Sequence, residues 1–152
     1  GLVLGPADHV PSERKLSAAR AMAERLGLDL PGDRVARSAY SLESGQAATA
    51  RLLRTGVTGL VCASDVLALG AVRAARRAGL SVPDDVSVVG YDDSALMNCT
   101  DPPLTTVRQP IEPMGRAAID LLVAQIEGQA VAHDELLFEP ELVVRGSTAP
   151  AR

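Results

Sequence analysis

The stretch "VPDDVSVVGYDDSALM", residues 82–97, begins with a proline and two acids, runs into a valine-rich segment, and closes on a second acid pair behind an aromatic. Val86, Val88 and Val89 read as a short strand buried on both faces, because parallel strands covered by helices are apolar in continuous runs. Gly90 is expected to end it. Asp92 and Asp93 then sit at the carboxyl end of a parallel strand, the edge where open α/β sheets keep their ligand crevices.

The same punctuation recurs on either side. A strand near residues 1–5 leads to a helix near 12–26, with Ser12 as its cap, Gly27 as its stop, and Leu16, Ala19, Ala23 and Leu26 as its inner stripe. A strand near 34–40, a helix near 44–55 closed by Gly56, the strand "GLVCA", and a helix near 65–78 closed by Gly79 complete the run up to residue 86. Strands separated by helices of this length are βαβ units, which predicts an α/β fold: one doubly wound parallel sheet with helices on both faces. Beyond it, "DPPLTTVRQP" is held extended by its prolines and carries a short strand, "LTTV". A helix near 111–127 follows, apolar on two neighbouring sides through Ile111, Met114, Leu121 and Leu122 and through Ile119, Val123 and Ile126. A strand near 135–145 ends the ordered chain.

With 152 residues, 47% of them hydrophobic, the chain has the length and core of a single domain. The aromatics are few: Tyr40, Tyr91 and Phe138. A net charge of -4 and a pI near 5.1 speak against a general phosphate-binding surface, so this chain alone is expected to grip no DNA. Cys62 and Cys99 lack metal-ligand spacing, and no cofactor is expected. No apolar run reaches the ~20 residues of a membrane span, and "GLVLGPADH" lacks the parts of a signal peptide. A cytoplasmic location is therefore expected. The abrupt strand-like start reads as an internal cut.

Five polar or aromatic residues follow the carboxyl ends of successive strands: His9, Tyr40, Ser64, Asp65 and Asp92. Each has a plain structural role open to it. Ser64 and Asp65 suit a helix start, Tyr40 a core edge, and Asp92 and Asp93 a turn. Their coincidence on one sheet edge points instead to a binding crevice. Asp65, Asp92 and Asp93 are also the acids a small Mg²⁺-dependent hydrolase would use, but no GxxxxGK[ST], GxSxG, HExxH or GxGxxG accompanies them, and both histidines, His9 and His133, fall in loops.

The segment "ASDVLALGAVRAARRAGLSVPDDVSVVGYDDSALMNCTDPPLTTVRQPIEPMGRAAIDLL", with "YSLESGQAA" upstream and "ELVVRGST" at the close, resembles the LacI/GalR family of ligand-responsive transcriptional regulators. The resemblance implies a periplasmic-binding-protein-like core of two lobes with the effector between them, residues 1–152 forming the C-terminal lobe and the DNA-binding headpiece and N-terminal lobe lying outside. It implies a non-enzymatic protein and a homodimer, with 102–110 as an inter-lobe hinge, 111–127 as a crossover helix and 135–145 as a returning strand. By the same resemblance Tyr40 faces a sugar-like or nucleobase-like effector, Ser64 precedes the family's acid Asp65, Asp92 accepts hydrogen bonds from the ligand, and Gln109 stands at the crossing. In the first helix, "SERKLSAARAM" puts Glu13 at the family's arginine position and Ala18 and Ala19 at its Gly-aromatic pair, with Arg14 a substitute only by a change of register and His9 a loop contact. A sugar-binding receptor of the same fold is the rival implication.

Overall fold

The structure, a computed structural model, describes residues 1–130 and 135–150. Its elements are β1 (Leu2–Leu4), α1 (Val10–Arg25), β2 (Val35–Arg37), α2 (Leu42–Leu52), β3 (Gly59–Cys62), α3 (Asp65–Arg77), β4 (Ser87–Asp92), β5 (Thr105–Arg108), α4 (Ile111–Ile126) and β6 (Glu141–Val143). The sheet runs β2-β1-β3-β4-β5-β6, parallel through β5, with β6 antiparallel at its edge. The step from β1 to β2 goes one way along the sheet, and the steps to β3 and β4 go the other. Right-handed crossovers therefore put α1 on one face and α2 and α3 on the opposite one. The core lies mainly under α2 and α3, around Val3, Leu52, Leu60, Leu67, Ala71, Val86 and Val88.

Helix ends follow the glycines. Gly27, Gly56 and Gly79 take φ of 64°, 75° and 76°, the left-handed conformation that a side chain resists, and each turns the chain out of its helix. Three expectations need correction here. Ser12 does not cap α1: the helix begins at Val10, Pro11 occupies its first turn, and Ser12 is fully buried inside it. Leu26, at the helix end, is 64% exposed rather than part of the inner stripe. Gly90 does not end β4, which continues to Asp92; a Cβ at Gly90 would meet the Asp65 carboxylate at 2.4 Å, so the glycine answers a close approach.

The sheet is less completely covered than its valines suggest. β3 alternates exposed and buried, and Val61 is 51% exposed on the α1 side. No residue of α4 is buried; Ile111, Ile119 and Ile126 are exposed to 61%, 62% and 77%. β6 is three residues long, shorter than the strand expected over 135–145, because Pro140 just before it has no N–H to give a ladder. His133 lies outside the described residues.

α2 and α3 approach through glycine. A Cβ on Gly70 would stand 2.5 Å from the carbonyl oxygen of Leu42 and 2.7 Å from the amide of Gln46, and one on Gly45 would stand 2.9 Å from the carbonyl oxygen of Leu67. These are backbone atoms and cannot swing aside. Two effects compete in Gly70→Ala: helix propensity favours alanine by about 1 kcal/mol, while overpacking costs typically 1–3 kcal/mol. With contacts this short the second wins, and urea denaturation should show a net loss of stability. A variant as stable as the parent would contradict the close packing.

Candidate functional site

The carboxyl ends of β1 to β5 form one rim, and a cavity of about 450 Å³ opens on it, lined by His9, Tyr40, Ser64, Tyr91, Asp92 and Gln109, with Lys15 reaching in from α1. Each is placed by local geometry. Ser64 adopts extended backbone at the end of β3 and caps α3, its Oγ accepting from the Leu67 amide at 3.4 Å. Tyr40 lies across the end of β1, where a Cβ on Gly5 would collide with its ring at 2.4 Å. Its hydroxyl is hydrogen-bonded to Ser12 Oγ at 3.1 Å and His9 Nδ1 at 3.2 Å, and the His9 ring meets it edge-on at 5.4 Å.

Asp92 is the charged centre of the rim. Gln109 Nε2 donates to its Oδ1 at 2.9 Å. Burial, and then the nearby Asp65 charge, push its carboxyl above the ordinary range, against the pull of the Gln109 hydrogen bond, the Lys15 charge and a hydrogen bond from the Asp65 backbone N–H. Lys15 Nζ stands 3.9 Å from the centre of the Tyr91 ring, a cation–π contact, and burial lowers its pKa while the Asp92 charge works the other way. Burial and then Asp92 raise the Tyr91 hydroxyl.

Asp65 is not on the cavity. It is 2% exposed, and both carboxylate oxygens are taken: Oδ2 accepts from the Ser94 amide at 2.7 Å and Oδ1 from the Thr106 hydroxyl at 2.6 Å. Its position at the first turn of α3 drives the side chain down against β4 and β5 rather than out to a ligand. Arg14 is not brought to the cavity either. It lines an adjoining, more apolar hollow of about 490 Å³ and its guanidinium pairs with Glu135. Glu13 pairs with Arg37. The cation that does reach the rim is Lys15, which the sequence reading passed over. A signal was available: it is the chain's single lysine among 15 cationic residues.

Asp93 proves more than a turn former. Arg108 Nε donates to its Oδ2 at 2.7 Å, and Arg145 Nη2 lies 2.7 Å from its Oδ1. Burial alone raises its pKa, but the two guanidiniums prevail and hold it below the ordinary carboxylate value. Of the three acids a Mg²⁺-dependent hydrolase would need, only Asp92 thus faces the cavity. Among the described residues no three His, Cys, Asp or Glu gather to hold a metal ion. What the rim offers is a carboxylate, an amide, a serine hydroxyl, an ammonium and aromatic surface, a set suited to a ligand rich in hydroxyls or ring nitrogens.

Residues 1–148 match the periplasmic binding protein-like domain family. The chain is 53% identical over 155 residues to the HTH-type transcriptional regulator MalR of Streptomyces coelicolor, covering 99% of this chain and 45% of that one. It superposes with a TM-score of 0.91 on a transcriptional regulator CelR–cellobiose complex, at 37% identity, over 97% of this chain and 46% of the other. A Lac repressor dimer bound to operator and the anti-inducer ONPF superposes with a TM-score of 0.86 at 36% identity, over 97% of this chain and 51% of the other. The chain thus spans about half the length of the relatives it matches. Among the described residues no helix is long and apolar enough to cross a membrane.

The raised carboxyl of Asp92 has a consequence for the free protein. A folded pKa above the unfolded value of about 3.9 means that the native state binds the proton more tightly, so stability falls as pH rises from that value through the folded one and stays lower above it. Asp92→Asn removes the charge and keeps an acceptor for Gln109. Its urea midpoint should exceed the parent's at pH 7 and converge with it below about pH 3. A lower midpoint at pH 7 would overturn this account of Asp92.

Proposed function

Since the chain belongs to the periplasmic binding protein-like domain family, we propose that it is the effector-binding C-terminal lobe of a LacI-type transcriptional regulator. The observation that carries this reading is the convergence of Tyr40, Ser64, Asp92 and Gln109, joined by Lys15, on one cavity at the carboxyl edge of a parallel sheet. The effector is a sugar, or a nucleobase-like molecule with a similar face of donors. Asp92 accepts from its hydroxyl or N–H, Ser64 and Gln109 bond its neighbours, Lys15 meets its oxygens, and the Tyr40 ring covers a face. The structure of a relative in complex with cellobiose supports the sugar class. The protein is non-enzymatic, works in the cytoplasm and uses no cofactor.

In this reading an N-terminal lobe outside the chain closes the cavity from above, and a headpiece outside it reads DNA. Residues 102–110 are the hinge, α4 crosses to the other lobe, and the 135–145 segment returns. An α4 with no buried residue supports that role, since monomers rarely leave so much contiguous apolar surface in water. Effector binding alters DNA affinity only if it favours one arrangement of the lobes over the other.

Two outcomes test the reading. In the intact regulator, calorimetry with cellobiose and maltose as probes should find a ligand, and Asp92→Ala should weaken it by roughly 1–3 kcal/mol through the unpaired hydroxyl left behind. A full-strength complex in that variant, or no heat with either sugar or with a panel of nucleosides, would sink the effector assignment. The chain itself should be a homodimer in light scattering at micromolar concentration, because burying each apolar side chain of α4 is worth roughly 1.5–3 kcal/mol. A clean monomer would contradict the covered helix.

A further inference from the structure

Asp93 stands next to the cavity without lining it, yet its carboxylate joins three separate pieces of chain. Arg108, which it accepts from, is the last residue of β5 and immediately precedes Gln109. Arg145, its other partner, lies just past β6 and is itself fastened to β5, Nη1 donating to the Leu104 carbonyl at 2.8 Å and its amide to Thr105 Oγ1 at 2.9 Å. Arg108 also reaches Glu141 of β6 at 3.1 Å. The ends of β4, β5 and β6 are thus drawn to one side chain, itself only 8% exposed.

The backbone at this point is unusual. Asp92 and Asp93 take φ of 118° and 55°, both positive, and neither is glycine. Such conformations are strained and persist only where their surroundings over-determine them. The surroundings of Asp92 are looser, since its side chain is half-buried and is held by no ion pair, only by Gln109 and the backbone N–H of Asp65. Those of Asp93 are not. Consecutive acids therefore hold consecutive residues of the outgoing segment: Asp93 holds Arg108, and Asp92 holds Gln109.

We propose that Asp93 is a positioning residue of the cavity: its grip on Arg108 and Arg145 fixes the turn at the end of β4, so that the Asp92 carboxylate faces the rim in a hydrogen bond with Gln109. The use of that geometry for effector binding rests on the function proposed above. The geometry itself does not, and it can be tested without a ligand.

The test is a carbon-detected NMR titration of the Asp92 carboxyl, together with the Gln109 side-chain amide signals, in the chain and in Asp93→Asn. Two effects on Asp92 oppose each other in that variant. Loss of a neighbouring negative charge, with two guanidiniums freed, moves its titration midpoint down. Loss of the Gln109 bond, which favours the charged form, moves it up. Positioning predicts an upward shift with the Gln109 amide moving towards the position of a free amide. A midpoint that falls or stays, with the amide unmoved, makes Asp93 a purely structural ion pair and overturns the proposal. Should Asp93→Asn fail to fold, Arg108→Gln alters a half-exposed side chain and breaks one arm of the grip; the Gln109 amide should then shift part of the way, and an unmoved amide overturns the proposal equally. A regulator that binds neither cellobiose nor maltose leaves this result untouched.

Discussion

The rim depends on one buried carboxylate. Asp65 carries its charge almost out of contact with water, a state tolerated only when the charge is fully hydrogen-bonded. It sits at the start of α3, where the helix dipole favours a negative group, and it takes the Ser94 amide from the turn after β4 and the Thr106 hydroxyl from β5. These bonds tie β3, β4 and β5 together at their carboxyl ends. Gly90 is glycine because the carboxylate needs the space that a Cβ would take. The turn carrying Asp92 and Asp93 is therefore pinned at Ser94 on one side and bounded by Gly90 on the other, a base on which the ion pairs of Asp93 act from above.

Above that layer the two acids divide the work by environment. Asp93 is surrounded by positive charge and gains stability from being ionised; Asp92 carries its charge at a cost that burial and the neighbouring Asp65 impose. Lys15 is strained in the complementary sense, its charge partly desolvated over the Tyr91 ring. A carboxylate and an ammonium that the fold does not fully satisfy are groups with interaction energy left for something else. Binding sites commonly carry such a deficit, supported by rigid neighbours.

Much of this was legible in the sequence. Helix and strand alternate with a regular period, the closing glycines adopt the backbone that glycine permits, and Tyr40 and Ser64 follow a strand while Asp92 ends one, which fixes the edge they share. What was not legible is which way a side chain points within a single turn. Glu13, Arg14 and Lys15 are consecutive and all charged, and successive helical residues are turned by about 100°, so the string alone does not say which one meets the rim. Asp65 follows Ser64 directly, yet one faces the cavity and the other the core. The partners of Asp93 were hidden for a different reason: Arg108 and Arg145 come from distant parts of the chain, and only the sheet brings them together.

The placement of Gln109 connects the cavity to the rest of the chain. It is the first residue after β5, held on one side by Asp92, and its predecessor Arg108 is held by Asp93. The outgoing segment thus leaves the sheet through the cavity wall and continues directly into α4, whose residues are all outside the core. A ligand competing for the Asp92 carboxylate would contend with Gln109 for the same acceptor, and any change in that bond acts at the root of the segment leading to α4. Coupling between occupancy and the position of α4 then needs no relay through the core, because the residue that lines the site and the residue that begins the exit are the same one.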